Sequence, residues 1–269
     1  MSKNKDHHQP IGVFDSGLGG LTVVKQLMQE LPHEDIVYYG DTARVPYGSK
    51  SKESIIRFSF ENTEVLLQEK VKMIVIACNT STSYALIPLQ RTYELPIIGV
   101  IQPGAQQAVR SSKTSRIGVI ATSATINSQA YTKAVLDFNH SAKVFSQACP
   151  MFVPLVEQGW LSNEITEQIA RKYLTPLTKN KIDTLILGCT HYPLLKGMIK
   201  KILGRQVTLI DSAQAVTREV KEVLAGRESF VKNKRRGKYK FLITDKPQEF
   251  HKIAQKFLGP KLSKEINYV

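Results

Sequence analysis

Short apolar runs alternate with amphipathic stretches from one end of this chain to the other, and that alternation leaves few folds open. An apolar run of four to six residues followed by a stretch of helical period is the mark of β-α repetition, which builds a mostly parallel sheet. The runs predicted as strands are Ile11 to Phe14, Asp35 to Tyr39, Met73 to Ala77, Ile97 to Ile101, Arg116 to Ile120, Lys143 to Gln147, Thr184 to Leu187, Val207 to Ile210 and Tyr239 to Ile243. Helical patterns fill most of the gaps, among them Leu21 to Leu31 stopped by Pro32, Ser54 to Gln68, Glu164 to Leu174, and Gln248 to Leu258 stopped by Gly259. At 269 residues the chain can carry one large α/β domain or two modest ones.

A weak internal repeat favours two. Ile11-Gly12-Val13 returns as Ile117-Gly118-Val119, and Ile76-Ala77-Cys78-Asn79-Thr80 is echoed by Leu187-Gly188-Cys189-Thr190-His191, at offsets of 106 and 111 residues. In both halves one strand ends in small polar residues (Asp15-Ser16, Thr122-Ser123) and a later strand ends in a cysteine followed by hydrogen-bonding side chains. The expectation is two similar α/β lobes with mostly parallel sheets, related by pseudo-twofold symmetry, with a site in the cleft between them. The chain is expected to cross near Ile101 to Thr114, where Pro103 and Gly104 interrupt the pattern, and to return near Asp211 to Ala213, since the segment beyond is too short for a third domain. The first lobe is then 1–101 with 212–269, and the second 102–211.

Apolar residues at 42% and charged residues at 22% are enough for a sizeable core and exclude a broadly disordered chain. No apolar run approaches the roughly 18 residues of a membrane span, and Met1 to Pro10 lacks the apolar stretch of a secretory signal, so a cytoplasmic address is expected. Three cysteines, Cys78, Cys149 and Cys189, make no disulfide framework, and each is read singly. The net charge of +14 suits nucleic acid, anionic surfaces or a small acidic substrate. Nearly half of that excess lies between Lys232 and Lys240, in a block free of acids that reads as a solvated loop.

In parallel α/β sheets, ligands bind beyond the carboxyl ends of the strands, where loops and helix N-termini converge. Cys78 and Cys189 both occupy that position, where a helix terminus can lower a thiol's pKa. A lone cysteine is more often a small buried hydrophobe, and Cys149, with no polar neighbour, reads that way; the duplicated setting argues otherwise for the other pair. A redox pair and a zinc site are two readings, neither favoured: no Cys-x-x-Cys spacing occurs, and Cys189-Thr190-His191 offers only two ligands close together. A third uses the symmetry. Two lobes could present similar bases to opposite faces of one molecule, so that one thiolate takes a proton from a carbon centre while the opposed thiol delivers another.

Asp15-Ser16-Gly17-Leu18-Gly19-Gly20 follows a strand and opens a helix, but its glycine spacing fails the dinucleotide fingerprint. It reads instead as a tight turn whose backbone N–H groups, with the Ser16 hydroxyl, can hold a carboxylate. Asp15 is either a turn former or a site residue, Pro46-Tyr47-Gly48 either a plain loop or a binding one, and Glu157, in an apolar context, either an edge charge or a tuned acid. His7 and His8 sit in a polar tail and need no function.

Taken together, Asp15 to Gly20, Val45-Pro46-Tyr47-Gly48, Ala77-Cys78-Asn79-Thr80 and Gly188-Cys189-Thr190-His191-Tyr192-Pro193 resemble the motifs of bacterial glutamate racemase, in the family's order and over most of the chain. The ending, Asp245 to Phe250 and on to Leu258-Gly259, resembles the family's too. The resemblance implies two α/β lobes and cofactor-independent interconversion of L- and D-glutamate, with no metal and no pyridoxal phosphate, supplying D-glutamate for peptidoglycan. It implies Cys78 as the base toward D-glutamate and Cys189 as the base toward L-glutamate, assisted by Asp15, His191 and Glu157. Asp15, Ser16, Pro46, Tyr47, Gly48, Asn79, Thr80, Thr122, Thr190 and His191 would hold the substrate. A monomer or homodimer is expected.

A relative acting on aspartate or another acid would share the thiol pair, but Pro46-Tyr47-Gly48 and Gly188 to Pro193 resemble the glutamate branch. A basic binding module retaining the fold would not need both cysteines. The basic block Lys232 to Lys240 is outside the resemblance and leaves room for nucleic acid or an acidic partner protein.

Overall fold

Buried along its whole length, Ile11–Asp15 forms strand β1, and the other predicted runs follow as β2 (Ile36–Gly40), β3 (Met73–Ile76), β4 (Ile97–Gly99), β5 (Arg116–Ala121), β6 (Lys143–Ala148), β7 (Thr184–Gly188), β8 (Thr208–Asp211) and β9 (Tyr239–Ile243). The computed structural model describes residues 6–231, 235–245, 254, 255, 257 and 258. Between the strands lie helices α1 (Leu21–Glu30), α2 (Lys52–Gln68), α3 (Asn79–Thr92), α4 (Ile101–Ser111), α5 (Ser123–Asn127), α6 (Ala130–Phe138), α7 (Phe152–Glu157), α8 (Glu164–Lys179), α9 (Lys196–Leu203) and α10 (Ser212–Gly226). Among the described residues no helix is long and apolar enough to cross a membrane.

The strands form two sheets, parallel throughout: β4-β3-β1-β2-β9 and β6-β5-β7-β8. Reversed, the second order is β8-β7-β5-β6, so β1 to β4 correspond one for one to β5 to β8 and the weak sequence repeat is a repeat of topology. Among the described residues strand β9 has no counterpart; it follows α10 and pairs with β2. One apolar cluster joins both halves, running from Ile11 and Val13 through Val100 and Val216 to Leu185 and Leu187.

Three readings need correction, and a fourth falls mostly outside the described residues. The fourth strand stops at Gly99, and Ile101 opens α4, so Pro103 and Gly104 do not break the pattern; Pro103 lies in the first turn, where a proline leaves no helical bond unmade. The basic block is not a free loop where it is described. Arg235 grips the Asp35 carboxylate at 2.5 and 2.8 Å, Lys240 pairs with Glu69 at 2.7 Å, and the Gly237 N–H donates to the Pro32 carbonyl; Lys232 and Lys234 lie outside the described residues. His7 is buried, with Nδ1 3.0 Å from the Phe230 carbonyl, rather than part of a loose tail. The predicted terminal helix falls mostly outside the described residues, although Ala254, Gln255, Phe257 and Leu258 are helical.

The segment leaving α10 for β9 is anchored by a buried ion pair. Lys72 Nζ lies 2.6 Å from Glu34 and donates to the Ser229 carbonyl at 2.8 Å, while the Val231 N–H donates to Glu34 at 2.9 Å. Removing one partner strands a buried charge, so Glu34→Ala is predicted to destabilise the protein by about 3–5 kcal/mol in urea unfolding; a change within about 0.5 kcal/mol would show the pair to be idle.

Asp183 ties the segment after α4 to the start of β7, accepting from Ser112 Oγ (2.6 Å), the Lys113 and Thr114 N–H groups (2.7 and 2.6 Å) and Thr114 Oγ1 (2.8 Å). Burial opposes its charge, but those donors win and bring its pKa down to about 2. A depressed folded pKa means stability present above the usual carboxylate value near 4 and lost as pH falls through about 2. The stability gap between the parent and Asp183→Asn should therefore be full at pH 5 and shrink between pH 4 and pH 2; a gap independent of pH would contradict this.

Candidate active site

Both thiols emerge where a buried strand ends. Cys78 follows β3 and caps α3, its Sγ accepting from the Ser81 N–H at 3.5 Å; Cys189 directly follows β7. Each is buried, and both line one cleft together with Ser16, Val45, Pro46, Tyr47, Gly48, Asn79 and Thr80 from the first half and Thr122, Val153, Gly188, Thr190 and His191 from the second. The free space left there is about 20 Å³, room for little more than one water. A larger cavity, about 470 Å³ between α4 and α10, contains none of these residues.

Two glycines let the halves approach this closely. A Cβ on Gly19 would lie 2.1 Å from Thr190 Oγ1 and 2.6 Å from His191 Nδ1, and one on Gly48 would lie 2.7 Å from Thr122 Cβ. The glycine-rich turn does bind a carboxylate, but it is the chain's own. The N–H groups of Gly20, Gly17 and Ser16 bond Asp15, which is fully buried and outside the cleft lining. Thr190 Oγ1 reaches Asp15 Oδ1 from the other half at 3.5 Å.

The two thiols have different surroundings. Burial, and then the charge of Asp15, pushes the Cys78 thiol up to about 11, against the Ser81 N–H. Burial also raises Asp15, against the charge of His191 and the three N–H donors. On the other side His191 Nδ1 lies 3.9 Å from Cys189 Sγ, and its Nε2 lies 3.2 Å from Glu157 on α7. Burial alone would lower His191, but Cys189 and Glu157 overcome it and hold its pKa up to about 10. Phe257 covers the imidazole edge-on, with ring centroids 5.9 Å apart.

Comparison of the sequence and of the fold with known proteins places the chain in a family. The family model for Asp/Glu/hydantoin racemases matches residues 11–220. The chain belongs to the Asp/Glu/hydantoin racemase family. A glutamate racemase from Geobacter metallireducens is 47% identical over 252 residues, covering 94% of this chain and 93% of the relative. Among solved structures, a glutamate racemase isoform from Bacillus anthracis superposes with a TM-score of 0.93 at 42% identity over 98% of both chains. One from Francisella tularensis, in complex with D-glutamate, gives 0.90 at 40% identity over 97% of this chain and 96% of its own.

Behind the cleft lining, residues that carry no motif of their own hold its walls in place. Thr125, one turn into α5, closes a ring of hydroxyls with Thr80 and Thr122 at 3.0–3.1 Å, linking the halves. Its signal was the Thr-x-x-Thr spacing after β5. Tyr47 donates to Asp41, which also takes Arg44 Nε at 2.6 Å, and Asn62 donates to the Tyr47 hydroxyl at 3.1 Å, so the Pro46-Tyr47-Gly48 turn is fixed from beneath. Cys149 is buried against Gln147, as its apolar setting implied.

The raised His191 fixes a sign. A folded pKa above the unfolded value near 6.5 gives stability that is full below pH 6.5 and is lost as pH rises through about 10. The His191 C2–H resonance is accordingly predicted to titrate near pH 10 in the unliganded protein; a midpoint near 6.5 would show that Cys189 and Glu157 do not hold its charge.

Proposed function

We propose that the protein interconverts L- and D-glutamate by proton transfer between two cysteines on opposite sides of the substrate. The observation that carries this reading is the placement of Cys78 and Cys189 after corresponding strands of two sheets with the same strand order, both facing one cleft. The relatives named above are glutamate racemases, and one was solved with D-glutamate. With the lobes taken as 1–101 plus 212–269 and 102–211, substrate enters as they part, since the closed cleft is too small for it.

In the L-to-D direction, the Cys189 thiolate takes the α-proton and the resulting anion is held beside the His191 imidazolium. Electron density from the C–H bond moves into the α-carboxylate, giving an enolate-like species. Cys78, a thiol at neutral pH because burial and Asp15 disfavour its anion, then delivers its proton to the opposite face. The cycle leaves Cys78 as thiolate and Cys189 as thiol, and the reverse reaction starts from that state.

The α-proton is very weakly acidic, so stabilisation of the enolate-like charge must come from the site. Asn79, Thr80, Thr122, Thr190, Ser16 and the Tyr47-Gly48 turn supply donors for the carboxylates in a cleft that excludes bulk water. Asp15 and Glu157 act from behind the lining, on Cys78 and His191 respectively. The net charge of +14 draws an acidic substrate inward. The product would serve peptidoglycan synthesis in the cytoplasm.

Cys78→Ala and Cys189→Ala are each predicted to lower glutamate racemisation, followed by polarimetry without added cofactor, by about 10²–10⁴-fold. Full activity in either variant would sink the two-thiol mechanism, and turnover of aspartate but not glutamate by the parent would reassign the substrate.

A further inference from the structure

Tyr131, on α6 of the second half, is fully enclosed, and its hydroxyl crosses to the first half. It donates to Asn79 Oδ1 at 2.6 Å and lies 3.1 Å from Ser212 Oγ, at the start of α10. Asn79 Nδ2 is buried and has no hydrogen-bond partner among the described residues, although Asn79 lines the cleft. Neither residue of the Tyr131-Ser212 pair lines the cleft itself.

We propose that Tyr131 is a positioning residue for the reaction, holding the Asn79 carboxamide in the orientation that offers Nδ2 to a substrate carboxylate. The inference rests on the assignment of Asn79 as a carboxylate donor made above. A carboxamide has two ends of nearly equal size and opposite polarity, so rotation by half a turn exchanges a donor for an acceptor. An acceptor facing a carboxylate repels it. With its oxygen taken by the Tyr131 hydroxyl, the amide has only its NH₂ left to offer, and a buried donor without a partner is costly until a ligand takes it. Ser212 completes the set: by donating to the tyrosine oxygen it leaves the phenolic hydrogen to point at Asn79. The preference lies in the second half and acts on a residue of the first, so it exists only when the halves are together.

The test is steady-state racemisation of both glutamate enantiomers by the parent, Tyr131→Phe, Asn79→Ala and the double variant, with thermal melting as the fold check. L- and D-glutamate have equal free energy in water, so kcat/KM must fall equally in both directions for any variant; the informative quantity is the split. Tyr131→Phe is expected to raise KM about tenfold for both enantiomers with kcat within about twofold, the loss of one neutral hydrogen bond from uniform binding. Asn79→Ala is expected to raise KM at least as much, and adding Tyr131→Phe to it to change KM by less than about twofold. An unchanged KM in Tyr131→Phe, or single effects that multiply in the double variant, would overturn the proposal. If Tyr131→Phe does not fold, Ser212→Ala replaces it, with a KM rise of about threefold expected and an unchanged KM counting against. A parent that turns over no glutamate refutes the underlying reading and this inference with it, whereas an active parent with a silent Tyr131→Phe refutes this inference alone.

Discussion

Parallel pairing of β1 with β3, and of β5 with β7, is the constraint on which the site depends. Parallel strands send all their carboxyl ends to one edge of the sheet. The register puts Phe14 beside Ile76, so two residues further on Ser16 and Cys78 emerge together; Ala121 lies beside Gly188, so Thr122 and Cys189 do the same. Repetition of that strand order in the second sheet supplies the other wall of the cleft. Gly19 and Gly48 then allow the walls to close to contact, since a side chain at either position would strike Thr190 or Thr122 from the opposite half.

Closure of this kind makes burial the dominant electrostatic force in the cleft. It raises Asp15, where it outweighs the His191 charge and three N–H donors, and Cys78, where Asp15 adds to it and only weak donors oppose it. His191 is equally buried, yet it stays charged because Cys189 and Glu157 flank its two nitrogens. Two thiols on equivalent strands therefore meet unequal surroundings: a carboxylate on one side, an imidazolium on the other. In the proposed reaction that inequality keeps Cys78 as a thiol, ready to give its proton to the face opposite Cys189.

The fold was legible in the sequence because β-α repetition writes itself in local periodicity. All the predicted strand runs form strands, and the Cys78 and Cys189 echoes mark corresponding strand ends. The segment after β4 was misread because Pro103 was taken as a breaker when it occupies a first helical turn. Local pattern could not reveal what depends on contacts between distant segments. Asp35 clasps Arg235, and Lys72 meets Glu34 and Ser229. Tyr131 is a plain core tyrosine in its own helix and becomes part of the site only because α3 of the other half delivers Asn79 to it. The same limit applied to Asp15, read as either a turn former or a site residue, whose carboxylate is wrapped by the turn that follows it.

The central claim is that two monoprotic bases act on opposite faces of one carbon, and the fate of the α-hydrogen tests it most directly. L-glutamate would be converted in deuterium oxide to a few per cent of product, and the deuterium content of each enantiomer read by mass spectrometry after chiral separation. Two opposed thiols predict D-glutamate carrying a solvent deuterium in every molecule, beside residual L-glutamate that keeps its protium. Product retaining protium, or residual substrate gaining deuterium as fast as product forms, would mean that one group serves both faces.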